Sequence, residues 1–143
     1  MPLTDASALL TQFASQLAAC AAWTTAVGSG NESARIHYPS VAWSSATLPC
    51  AVISEDQRGS RIYATNAQGL RSGMLKVEVY SAGTVGAVEQ LGQALLEQLL
   101  AQQSGIVFRT GYVGLCGDAT IAEIAAQNEV RAIEINIEYG LEA

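Results

Sequence analysis

The feature that most constrains this chain is a two-faced alternation near its C-terminus. Between Glu129 and Tyr139, Ile133, Ile135, Ile137 and Tyr139 take every second position, with Ala132, Glu134, Asn136 and Glu138 between them. Successive side chains of an extended strand point to opposite faces, so this period reads as a strand with one apolar and one polar side. Met74 to Ser81 repeats the pattern, with Leu75, Val77 and Val79 on one side and Met74, Lys76, Glu78 and Tyr80 on the other. Strands of this kind require a sheet buried on one face, the other meeting water or a charged partner.

Two helical stripes can supply the cover. After Thr4 and Asp5, both good N-caps, Leu9 or Leu10, Phe13, Leu17 and Cys20 or Ala21 recur at helical spacing. This predicts one helix over about residues 5–23, with Gly28-Ser29-Gly30-Asn31 as the stop. Val88, Leu91, Leu95 and Leu99, widened by Leu96 and Leu100, predict a second helix between an N-cap at Thr84 and a stop at Ser104-Gly105.

The remaining segments are shorter. Cys50 to Ser54 reads as a buried strand, Ile106 to Arg109 as a short one, and Ala34 to Tyr38 as an extended piece in a Ser-, Ala- and Pro-rich connector. Glu55 to Gly73 is polar and glycine-punctuated, and is expected as a second strand or a projecting arm (about 55–73). Glycines 111, 114 and 117 predict a loose connection, and Ile121 to Ala126 reads equally as strand or short helix. The expected fold is α+β: one domain over residues 1–143, a two-layer sandwich of a mainly antiparallel sheet with two helices packed on one face.

Charge narrows the partners. Thirteen carboxylates stand against seven basic residues, for a net charge of −6. Six of those carboxylates (Asp118, Glu123, Glu129, Glu134, Glu138 and Glu142) lie in the last 27 residues, opposed by Arg131 alone. A nucleic-acid-binding face needs clustered Lys and Arg to neutralise phosphate, and the sequence holds no such cluster. No apolar run approaches the roughly 18 residues that span a bilayer, so no membrane partner is expected. Half of the residues are hydrophobic and 14% charged, far from the composition of a disordered chain. With no secretory leader pattern at its start, the chain's three distant cysteines, Cys20, Cys50 and Cys116, are expected as free thiols in a reducing cytosol. The Asn31-Glu32-Ser33 sequon is then accidental.

Catalytic chemistry finds little to work with. His37 is the sole histidine and lies in the irregular connector, with no G-x-S-x-G around any serine. The cysteines lack metal-ligand spacing. Glycines 111, 114 and 117 carry neither the dinucleotide fingerprint nor the lysine of a P-loop. Neither a catalytic residue, nor a metal, nor a cofactor is therefore expected. Glu134 and Glu138 share a strand face roughly 13 Å apart at strand rise, too far for a glycosidase pair. They read as a solvated stripe or as the lining of a pore. Arg58, Arg61 and Arg71 in the polar arm read either as solvated loop residues or as contacts to the C-terminal carboxylates of a neighbouring copy. The second reading describes head-to-tail assembly, which closes into a ring when its rotation permits.

The order of elements and several local sequences resemble the tail terminator (tail completion, minor tail) proteins of long-tailed bacteriophages. The similar pieces are the Leu10, Phe13, Leu17 helix, Ala34-Arg35-Ile36-His37-Tyr38-Pro39, and Leu48-Pro49-Cys50-Ala51-Val52-Ile53 opening a core strand. Met74-Leu75-Lys76-Val77-Glu78-Val79-Tyr80-Ser81 then runs into the helix from Val88 to Leu100, and a strand from Arg131 to Tyr139 ends the chain. The resemblance implies a homohexameric ring of the virion neck, assembled in the host cytoplasm, that caps the tail tube and joins it to the head connector. It further implies no bond chemistry, the tail tube protein and the neck proteins as partners, and DNA passing through the lumen without specific binding. Glu134 and Glu138 would suit such a lumen by repelling phosphate. A head-completion or connector ring of the same neck is the alternative expectation, and a small cytosolic enzyme the third.

Overall fold

The two alternating segments pair at the centre of a five-stranded sheet. A computed structural model describes residues 6–38, 47–63, 70–102, 106–119 and 130–141. The elements are α1 (Ala6–Ala18), α2 (Ala21–Val27), β1 (Ile36–His37), β2 (Cys50–Tyr63), β3 (Leu70–Ser81), α3 (Val85–Ala101), β4 (Ile106–Ala119) and β5 (Val130–Leu141). Strands run in the order β1-β2-β3-β5-β4, antiparallel throughout except for the short parallel β1–β2 pair. The fold is thus the expected α+β arrangement, a mixed, mostly antiparallel open sheet with helices packed against it.

The core lies between the helices and one sheet face. Leu75, Val77 and Val79 of β3 and Ile133, Ile135, Ile137 and Tyr139 of β5 are buried there with Leu9, Phe13, Leu17, Leu95 and Leu99. Phe13 meets Phe108 edge-on, with ring centroids 5.5 Å apart at 87°. None of the described helices is long and apolar enough to cross a membrane.

Three helices, rather than two, make the cover. The expected N-terminal helix breaks at Cys20, whose backbone is extended (φ −71, ψ 128), and the chain resumes as α2 up to the positive-φ Gly28. Neither proline nor glycine causes the break. Side chains of and around α3 hold it instead: the Ala22 N–H donates to Gln98 Oε1 (3.0 Å), and Gln102 Nε2 donates to the Gln16 carbonyl (2.8 Å). These bonds satisfy backbone groups that a helix end leaves orphaned. The redirected α2 buries Trp23 completely, its indole N–H donating to the Glu32 carbonyl (2.9 Å). The N-cap at Thr84 is as expected, its hydroxyl accepting from the Ala87 N–H (3.2 Å). The expected caps Thr4 and Asp5, the stop at Ser104-Gly105, and the segment Ile121–Ala126 lie outside the described residues.

The expected loose connection is instead a strand. Glycines 111, 114 and 117 sit within β4, which pairs with β5 from Ile106 to Ala119 with irregularities at Phe108/Thr110 and Leu115/Gly117. Glycine's weak strand preference is overridden by what the position needs. A Cβ on Gly111 would lie 2.9 Å from the Asn136 carbonyl oxygen and against Leu96 of α3, so helix and sheet approach closely because no side chain intervenes. In the polar segment expected as a second strand or a projecting arm, residues 55–63 continue β2 and residues 70–73 open β3, with a register shift between Asp56 and Arg61; residues 64–69 lie outside the described residues.

Candidate functional site

The described helices pack on one side of the sheet, so none of them covers the other face, and register lays out that face's residues in rows. One row runs His37, Val52, Glu78, Glu134, Gly114 across all five strands. The next runs Ser54, Lys76, Asn136, Tyr112, and the third brings Met74, Glu138 and Thr110 together. The expected carboxylates Glu134 and Glu138 are therefore both on the face that no described helix covers, half-buried and two rows apart. Glu78, which sequence reading does not single out, lies directly opposite Glu134. Such cross-strand neighbours have Cβ atoms about 4.5–5.5 Å apart, and like charges placed so repel.

Hydroxyls and an amide surround these acids. Tyr80 Oη donates to Glu78 Oε2 (3.0 Å), and Thr110 Oγ1 donates to Glu138 Oε2 (3.3 Å). By register the charged residues in the three rows are Asp56, Glu78, Glu134 and Glu138 against Lys76, leaving a net negative face. Asn136, expected in solvent, is only 5% exposed. It lies on a central strand between Lys76 and Tyr112.

Arg58, Arg61 and Arg71 all belong to the far half of the hairpin, where Ile62 pairs with Arg71 and Arg61 with Ser72. Their side chains lie outside the described residues. Their backbone positions are remote along the strands from the acidic row, which crosses β2 at Val52 and β3 at Glu78. Within one chain, then, the arm and the Glu78–Glu134 pair are separate.

His37 and Cys50 also lie on this face by register. His37 sits at the end of β1 with Nε2 buried and without a hydrogen-bond partner, and burial lowers its pKa below the ordinary 6.5. Burial pushes the Cys50 thiol up to about 11, the nearby Arg35 charge offsetting part of the effect. Arg35 is held by the carbonyls of Leu48 (3.2 Å) and Pro49 (3.5 Å). A Cys–His couple works through a thiolate and an imidazolium, and this environment favours the neutral form of both. Cys20, also buried and free, is likewise raised to about 11 by burial, against a hydrogen bond from Gln102. Cys116 has its side chain outside the described residues. Among the described residues no group of three His, Cys, Asp or Glu is placed to hold a metal ion.

A second surface lies at the sheet edge. A groove of about 610 Å³ runs between α3 and β4, lined by Glu89, Gln93 and Glu97 on one side and Val113 and Leu115 on the other. Tyr112 and Leu115 of β4 are 61% and 47% exposed, the most exposed large hydrophobic residues described. The glycines of this segment hide it in the sequence, because they signal a loop. No protein-family model matches the chain, and no curated protein sequence matches it.

Proposed function

We propose that this chain is a structural virion protein, a tail terminator that forms a ring on the end of a phage tail tube and joins it to the head connector. The observation that carries this reading is the acid-bearing sheet face that none of the described helices covers. Glu78 and Glu134 lie directly opposite each other there, where like charges repel, and Glu138 lies two rows away on the same face. A ring that points this face inward presents carboxylates to passing DNA and keeps phosphate from sticking. The resemblance in element order to tail terminators supports the same reading, and with it a hexamer, tail-tube and neck partners, and no bond chemistry.

The test is a ring imaged by electron microscopy together with co-purification of its partner. Six copies with Glu134 and Glu138 toward the channel, purified with the tail tube protein, are the expected result. Those glutamates on the outer rim would refute the lumen assignment. Co-purification with portal-side protein alone would replace the terminator role by that of a head-completion ring.

A further inference from the structure

We propose that the groove between α3 and β4 receives the far half of the β2–β3 hairpin of a second copy, whose β2 adds antiparallel to the open edge of β4. The proposal rests on the ring reading above and names the contact that would build it. Among the described residues, β4 is paired on one side only, over its fourteen residues. A long edge strand with exposed Tyr112 and Leu115 is a template for another strand, and folded proteins seldom leave one uncovered. The same chain carries a matching edge. β1 covers β2 only at Ala51 and Val52, so among the described residues β2 from Ile53 onward is also paired on one side only.

Strand direction makes the two edges compatible. β2 and β5 run one way, β3 and β4 the other. Copies related by rotation about an axis along the strands therefore place β4 beside an antiparallel β2, and the alternation continues from chain to chain. Charge favours the same pairing. From Gln57 to Arg71 the hairpin holds Arg58, Arg61 and Arg71 and no acid, whereas α3 holds Glu89 and Glu97 and no base. A two-fold β4–β4 junction is the competing arrangement. It would set the acidic flanks of two α3 helices side by side and leave both β2 edges open. The head-to-tail junction uses both edges of every copy, and only closure removes edges altogether.

Charge reversal in the full-length chain tests this, with oligomer mass followed by sedimentation velocity and native mass spectrometry over a concentration series. Arg61→Glu and Glu97→Arg should each weaken assembly roughly tenfold, and the two combined should restore it to within about threefold. An oligomer indifferent to both reversals, or a combination no better than either single variant, overturns the contact while leaving a ring possible by other means. Leu115→Cys in a Cys116→Ser background distinguishes the geometries. A disulfide joining two copies through the thiols introduced at position 115 would establish the two-fold junction and overturn the head-to-tail one. Open filaments that respond to the charge swap would keep the contact and refute the ring. A chain monomeric throughout would overturn both.

Discussion

Replacing Gly92 by alanine sets two opposing effects against each other in the middle of α3. Alanine in a helix interior is favoured over glycine by about 1 kcal/mol. A Cβ at Gly92, however, would collide with Ile133 Cδ1 and lie 3.0 Å from Val113 Cγ1. Ile133 is wholly buried, so its terminal methyl has little room to move. Overpacking of this kind costs about 1–3 kcal/mol. The balance is a net loss of about 1 kcal/mol, read in urea as a midpoint lowered by roughly 0.5 M with the slope unchanged.

The structure also specifies the rescue. Ile133→Val deletes Cδ1 and leaves Cγ1, which would lie 3.7 Å from the new Cβ, an ordinary contact. Alone, that truncation costs about 1 kcal/mol. Independent effects would place the double variant about 2 kcal/mol below the parent. If the new Cβ fills the space Cδ1 vacates, the double variant falls only about 0.5 kcal/mol below it, a coupling well beyond the ~0.5 kcal/mol scatter of additive sites. A Gly92→Ala protein stabilised by about 1 kcal/mol, or a double variant showing simple additivity, would refute the close approach of α3 to β5.

Other perturbations follow from single contacts. Tyr139→Phe removes the 2.7 Å bond from the buried hydroxyl to Glu55 and should cost about 1.5–3 kcal/mol in thermal or chemical unfolding; no loss would mean the bond carries no stability. Gln98→Ala deprives the Ala22 N–H of its acceptor and should cost about 1 kcal/mol, with the break at Cys20 losing definition in amide exchange; unchanged protection of α2 would sink the capping role. His37 has a folded pKa below its unfolded 6.5, so the unfolded chain binds the proton more readily and stability falls as pH drops from 6.5 toward the folded value. His37→Gln should flatten that portion of the pH profile, and an unaltered profile would exclude His37 as its source. Glu78→Gln relieves repulsion against Glu134 and should raise stability by about 0.2–1 kcal/mol in low salt, less in high salt; a destabilised variant would contradict the register argument.

The parts of this fold legible in the sequence are those set by local period. The alternations at 74–81 and 130–139 fix their own faces, and Thr84 announces α3 because an N-cap needs only its own helix. What the sequence hides depends on distant partners. The N-terminal helix breaks at Cys20, where Gln98 accepts from the Ala22 N–H and Gln102 donates to the Gln16 carbonyl and Cys20 Sγ, roughly 80 residues away, and nothing local marks the site. Gly111 and Gly114 look like turn residues, yet pairing with β5 sets both within a strand, and Leu96 lies against Gly111. Of the acidic face, Glu134 and Glu138 are visible as a stripe on one strand. Glu78 is not, because its relation to Glu134 is a matter of pairing register rather than spacing. The edge groove is hidden for the same reason as β4.

Two features of the molecule, the acidic face and the edges left open among the described residues, bear on its proposed function in different ways. The Glu78–Glu134 pair sets two carboxylates opposite each other, and the function proposed above gives them a use outside the chain. A face exposed to a polyanion is such a use, and it holds for a terminator and for a head-completion ring alike. The face therefore argues for a lumen without choosing the ring. The edges speak to assembly instead: β4 and the far half of β2 offer complementary, oppositely directed borders on one molecule, with carboxylates beside one and arginines in the other. On the proposed ring, neutralising Glu78 should thus leave assembly intact while changing the proposed lumen, whereas reversing Glu97 should weaken assembly while leaving the fold intact. A chain in which both changes had the same consequence would have its acidic face at the subunit contact, and the separation of lumen from junction would fall.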